Sequence, residues 1–256
     1  IKGVAEIRDP RFDKLVSLYR PKKNVPARID IELLPKIEKD AIAGGAIFAD
    51  INELDAICHV VRVFKDDAIY HMSGSVDPKR DIDMVHAELI LHDLIFVEKR
   101  LERLTVKIKQ LNDEASKKER VVLERLKEHL DKTLPLRLLE LSADEKKVIA
   151  SYPLVTRKAM MIVLNLGEGD LADTKLLEEI RSAHAPLRLE AMQVSAKVES
   201  EIAKLESAED REAFLKDIGI TEPAISVLTR LLIKTLDLIS FFTVGEDEVR
   251  QWTIRS

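Results

Sequence analysis

The chain has 256 residues, 46% of them apolar and 34% charged, with a formal net charge of −5. That supplies the core of one large domain or of two to three small ones and leaves a heavily charged surface. The acidic balance and an aromatic content of 4% exclude a globally basic nucleic-acid binder and the aromatic rows that stack single strands.

The chain opens on Ile1 rather than Met, so a processed, excised or incompletely represented sequence is expected. KGVAEI (2–7) and ARIDI (27–31) read as the first strands, and AICHVVRVF (56–64) as a third. This third run holds Cys58, the only cysteine. A disulfide within the chain is therefore impossible, a reducing compartment fits best, and Cys58 reads as a small core residue. His59 reads as a satisfied core histidine. Asp66-Asp67 should end the strand and cap the segment after it. The six histidines show no i, i+4 pair and no cysteine company, which argues against zinc.

From Asp83 to Thr133 the texture changes. Ile90, Leu94, Val97, Leu101, Leu104, Ile108 and Leu111 step by 4 and 3 in alternation, an a/d seam. Asn112-Asp113-Glu114 interrupts it, and Val122, Leu123, Leu126 and Leu130 mark a second helix. The pair predicts an antiparallel helical hairpin, about 40 Å long for a first helix of some 27 residues. Residues 98–132 carry 11 Lys/Arg against 8 Asp/Glu, net +3, leaving −8 for the rest. The arm reads either as a solvated coiled coil or as a surface for an anionic partner such as RNA.

MMIVL (160–164), a helix from Asp173 to Ala183 capped by Asp170 or Asp173, and LRLEAMQV (187–194) predict a βαβ unit with a parallel sheet. A helix is predicted over Glu222–Ser240. FFTVGEDEVRQWTIRS (241–256) then reads as strand, turn and strand, the opening hairpin of a further β-rich domain. No apolar run approaches the ~20 residues of a membrane span.

The apolar run at 160–164 ends in Asn165-Leu166-Gly167-Glu168. In open parallel sheets, ligands bind outside the carboxyl ends of strands. Asn165 offers a donor and an acceptor to a purine edge, Glu168 accepts from N–H groups, and Gly167 lets the chain turn sharply between them. Ser195-Ala196-Lys197, after the next strand, offers backbone N–H groups. The plainer alternative is a turn at 165–168 and a helix cap at Ser195.

The pair resembles the Asn-Lys-x-Asp and Ser-Ala-Lys base-recognition loops of P-loop GTPases, with Leu166 in place of Lys and Glu168 in place of Asp. That departure, with DPRFDKLVSLYRPKKNVPA (9–27), DAICHVVRVFKDD (55–67), GSVDPKRDID (74–83), ELILHDLIFVEKRLERL (88–104), SAKVESEIAKL (195–205) and FFTVGEDEVRQWTI (241–254), resembles the YchF/Obg-like ATPase family over almost the whole chain. The resemblance implies an α/β fold: a Ras-like P-loop NTPase domain with a mostly parallel sheet, interrupted by an α-helical coiled-coil hairpin and followed by a β-rich TGS domain. It divides the chain into a first nucleotide-binding part (1–83, P-loop absent), the arm (84–150), a second nucleotide-binding part with the base-recognition loops (151–240), and the start of a truncated TGS domain (241–256). It implies binding and slow hydrolysis of ATP with Mg2+, adenine preferred over guanine, and association with the ribosome or RNA. A cytoplasmic monomer away from membranes is expected. Asn165, Leu166, Glu168, Ser195, Ala196 and Lys197 are the implied binding residues.

The chain departs from the family where phosphate chemistry should be. None of its eight glycines precedes a lysine and no Asp stands three residues before a glycine, so neither a P-loop nor an Asp-x-x-Gly loop is present. In the place of the latter stands IDIELLPKIEKDAIAGGAIFADI (29–51), whose Gly44-Gly45 reads as a switch-loop remnant or a plain turn. Two accounts remain open: phosphate-binding segments outside the sequence shown, or a degenerate paralogue that keeps a base pocket as a non-catalytic scaffold. On either, this chain alone should hydrolyse ATP poorly, and no catalytic residue or metal ligand is named. A purely structural coiled-coil adaptor is the third reading.

Overall fold

The computed structural model describes residues 1–37, 45–71, 73–111, 113–220 and 222–255. At the centre lies a parallel sheet of three strands, β4 (Ala56–Arg62), β5 (Ala159–Asn165) and β6 (Glu190–Val194), with β5 in the middle. Five consecutive residues of β5, Met160 to Leu164, are buried, as a strand covered on both faces requires. Met160, Ile162 and Leu164 face a core shared with Ile82, Val85 and Leu89 of α3 (Pro78–Leu111) and with Leu177 and Ile180 of α6 (Lys175–His184). Met161 and Val163 point the other way, against Leu232 of α9 (Ala224–Thr235).

Around this sheet lie β1 (Lys2–Glu6) paired antiparallel with β3 (Arg28–Glu32), helix α1 (Pro10–Tyr19), and a short β2 (Lys23–Val25). Asp9 caps α1, accepting from the Arg11 backbone at 2.9 Å, and Pro10 occupies its first turn. Helix α2 (Ala46–Asn52) comes next. Of the Gly44-Gly45 pair, Gly44 lies outside the described residues; Gly45 has φ +61 and leads into α2.

The arm consists of α3, 34 residues and so about 51 Å long, and α4 (Glu114–Asp131) packed against it. Val97, Leu104, Leu123, Leu126 and Leu130 are almost wholly buried between them. The seam predicted to run to Leu111 stops short, because Leu111 is 67% exposed. Asp113 caps α4 through the Ala115 and Ser116 N–H groups, and Lys107 pairs with it at 3.2 Å.

The arm is fastened to the sheet by a buried carboxylate. Asp93 on α3 is fully buried and accepts from the Val155 and Thr156 N–H groups at 2.9 and 2.8 Å and from the Thr156 hydroxyl at 2.5 Å. Thr156 in turn accepts from the Leu136 N–H at 3.1 Å. Residues 155–157 form the 3-10 turn that leads into β5, so one side chain of the arm fixes the approach to the central strand.

Three more helices, α5 (Ala143–Val148), α7 (Ala196–Lys204) and α8 (Ala208–Asp217), complete the helical set among the described residues. The C-terminal segment forms β7 (Leu238–Val244) and β8 (Glu248–Arg255), an antiparallel hairpin whose β8 also pairs in parallel with β2. The helix predicted to run to Ser240 ends at Thr235. Asp237 adopts φ +54 and redirects the chain into β7, so Leu238 to Ser240 are strand.

Candidate functional site

Parallel strands in register end together. Asn165, the last residue of β5, lies opposite Arg62 of β4 and Val194 of β6. The loops beyond these ends, 63–69, 166–170 and 195–197, therefore open at one edge of the sheet.

Asn165 ties these loops to one another. Its side-chain Oδ1 accepts the Ala196 N–H at 3.0 Å, across 31 residues of sequence. Its backbone carbonyl accepts the Val63 and Phe64 N–H groups at 2.8 and 3.2 Å, and the next residue, Leu166, donates to the Val194 carbonyl at 2.8 Å. Leu166 turns its side chain into the core, 5% exposed. Ser195 is buried and caps α7 through the Val198 N–H, so the plainer expectation of a helix cap also holds for this residue. Glu168 and Lys197 stand at the rim, largely exposed, with Lys197 Nζ 3.6 Å from Glu168 Oε2. A surface pair of this kind contributes only about 0–1 kcal/mol, so either partner is readily released to a ligand.

Gly167 does not make the sharp left-handed turn expected of it. Its φ of −68 and ψ of 160 are open to any residue. What is confined there is space: a Cβ at Gly167 would lie 3.0 Å from Asp170 Oδ2 and 4.0 Å from Phe64 Cβ.

Two residues at this edge, Arg62 and Phe64, lie within the stretch 55–67 that carries the resemblance but had no role assigned to them from the sequence. Arg62 donates to the carbonyls of Phe64, Asp66 and Ile69 at 2.9–3.1 Å, and its guanidinium lies 4.6 Å from the centre of the Phe64 ring. It thereby satisfies a loop that would otherwise leave carbonyls unpaired, and it holds the Phe64 ring under its guanidinium. The available signal was an arginine closing an apolar run just before an aromatic.

The other residues singled out in the sequence fall elsewhere. Cys58 is exposed on β4 rather than packed in the core. His59 is not a satisfied histidine: its Nδ1 is buried with no hydrogen-bond partner, and burial pushes the ring down to about 4. Asp66 does cap the loop after β4, accepting the Ala68 N–H at 2.9 Å. Asp173 accepts the Lys175 N–H at the start of α6 at 3.0 Å.

Sheet, arm and strand-end edge together match proteins already known. The chain is 38% identical to the ribosome-binding ATPase YchF of Bacillus subtilis, over 99% of this chain and 70% of that protein. It is 35% identical to the ribosome-binding ATPase YchF of Escherichia coli O157:H7, over 98% and 70%. The chain belongs to the YchF family. A solved YchF structure, that of the Schizosaccharomyces pombe YchF GTPase, superposes with a TM-score of 0.86 at 30% identity, covering 99% of this chain and 70% of that one. No family model matches the chain.

The groups that the family implies meet different residues in this YchF-family chain. The strand-end edge carries an amide at Asn165, a carboxylate at Glu168 and an aromatic side chain at Phe64, group types that suit a purine base. Among the described residues no three or more His, Cys, Asp or Glu side chains are placed to hold a metal ion, and no magnesium ligand is named. The sequence also holds no Gly-Lys-Ser/Thr to grip phosphates. No hydrolytic step is therefore assigned to residues of this chain.

Proposed function

We propose that this chain provides the base-reading part of an ATP-binding YchF-type switch, with Asn165, Glu168, Ala196 and Lys197 at the binding edge. Asn165 Nδ2 donates to the purine N7, which adenine and guanine share. Glu168 accepts from the adenine 6-amino group once Lys197 releases it. Phe64 lines the ring. Leu166 and Ser195 act from inside, holding the two loops in place.

The observation that carries adenine preference is the Ala196 N–H bonded to Asn165 Oδ1 at 3.0 Å. Guanine presents an O6 acceptor that needs an N–H donor, and this donor is already engaged. A buried acceptor without a partner costs about 1–3 kcal/mol, so ATP is favoured over GTP by roughly five- to a hundred-and-fiftyfold. Calorimetric titration of the chain with ATP and GTP tests this reading. Glu168→Asp draws the carboxylate back and should shift the ratio towards GTP; an unchanged ratio would remove Glu168 from base choice.

ATP turnover with Mg2+ is proposed for the family's assembled phosphate site and not for the residues described. Single-turnover assays on this chain should give hydrolysis near background; rapid turnover would favour a catalytic centre that the present residues do not reveal.

The relatives named as ribosome-binding support a ribosome or RNA contact through the arm. Lys127, Arg120, Lys132 and Lys117 are already paired with Glu98, Glu124, Glu128 and Glu114, whereas Lys99, Arg103, Lys109 and Lys118 are exposed with no ion pair among the described residues. Reversing Lys109 and Lys118 to Glu should weaken ribosome cosedimentation and flatten its salt dependence.

A further inference from the structure

We propose that Arg137, with Arg157 and Lys146, forms an oxyanion site at the root of the arm, beside the start of β5 and so away from the strand end that carries the base-reading loops, for one free phosphate or terminal phosphomonoester. Arg137 lies in the connection between α4 and α5, in a 3-10 turn at 136–138. It lines two spaces. One is a cavity of about 30 Å3 shared with His86, Thr133 and Thr156. The other is a cleft of about 490 Å3 shared with Lys146, Arg157 and Glu140.

The guanidinium is incompletely satisfied. Its Nε donates to the Leu187 carbonyl at 3.4 Å, while Nη2 is buried with no partner. Burial pushes Arg137 down to about 10, which still leaves it cationic at neutral pH. A buried guanidinium N–H without an acceptor is costly. His86 Nε2 on the same cavity wall is also buried without a partner, a further donor in the tautomer that protonates that nitrogen. Arg157 spends Nη1 on the Ile149 carbonyl at 3.2 Å. Three cations line the cleft against a single carboxylate, Glu140.

Charge-assisted bonds from a planar guanidinium suit an oxyanion. The three cations converge on one cleft rather than along an extended groove, which suits a free ion or a terminal phosphate better than the backbone of an RNA strand. A water molecule is the competing occupant, since the smaller cavity has room for one.

The test is a titration of the whole chain with inorganic phosphate against chloride at constant ionic strength, followed by amide chemical shifts. Saturating shifts are expected at residues 136–140 and 156–158, with affinity reduced about tenfold in Arg137→Gln and about threefold in the exposed Lys146→Ala. If Arg137→Gln fails to fold, Lys146→Ala decides alone. The proposal is overturned by the absence of saturation, by unchanged affinity in Lys146→Ala, by shifts confined to 165–170 and 195–198, or by a short RNA duplex that gives the same shifts at lower concentration than phosphate.

Discussion

Replacing Asp93 with alanine should be among the most damaging single changes in the molecule. Asp93 is fully buried and takes four polar contacts, from Val155 N–H, Thr156 N–H, Thr156 Oγ1 and His92 Nδ1, the last at 3.1 Å. Asp93→Ala leaves two backbone donors buried and unpaired, each costing about 1–3 kcal/mol, so a loss of about 3–5 kcal/mol is expected. Asp93→Asn keeps the shape and one acceptor oxygen but turns an amide donor towards a backbone donor, and should lose about 2 kcal/mol. Urea unfolding followed by far-ultraviolet circular dichroism measures both. The two variants should keep the wild-type slope and differ in midpoint. A loss below about 1 kcal/mol for Asp93→Ala would show that the arm is not fastened to the β5 approach through this carboxylate.

Acidification should destabilise the protein in a definite window. Burial lowers His59 to about 4 and His86 to about 3, with Arg137, His184 and His59 adding to the effect at His86. Folded-state values below the unfolded value near 6.5 mean that the unfolded chain takes up protons first. Stability is therefore full above pH 6.5 and falls as pH drops towards 4, by about 1–2 kcal/mol per histidine at pH 5. Urea midpoints at pH 7 and pH 5 should show the fall, and His86→Gln should reduce it; equal midpoints in the wild type would contradict the burial argument. Leu126→Ala, fully buried between the arm helices, should cost about 2–5 kcal/mol in the same unfolding assay. Gly167→Ala should be tolerated to within about 1 kcal/mol, because its backbone angles suit any residue and only the Asp170 carboxylate must move; a thermal melt that collapses would show the turn to be tighter than its angles indicate.

The central strands were legible because a strand covered on both faces carries an unbroken apolar run, as β5 does. The arm was legible because its heptad steps are long and regular, and only its tip misled: α4 begins at Glu114, too late to cover Leu111. Strand β2 was missed because three residues held by pairing with β8, more than 220 positions away, leave no local pattern. The end of α9 was misplaced because Leu236 and Ile239 continue a helical spacing, while the break rests on the positive φ of Asp237, a residue that does not announce it. At the candidate site, the rule that parallel strands end together was enough to bring residues 165–168 and 195–197 to one edge. The bond from Ala196 to Asn165, and the hold of Arg62 on the 63–69 loop, depend on side-chain directions that composition and spacing do not encode.

The claim on which the functional account rests is that Asn165 occupies the Ala196 N–H and so denies it to guanine. Parallel equilibrium titrations of the wild type and Asn165→Ala with ATP and with GTP test it most directly. The account predicts that the wild type prefers ATP, and that Asn165→Ala weakens both nucleotides while moving the ATP-to-GTP ratio towards GTP, because the Ala196 N–H is released. A wild type that binds GTP as tightly as ATP, or a variant that loses affinity with its ratio unchanged, would contradict it.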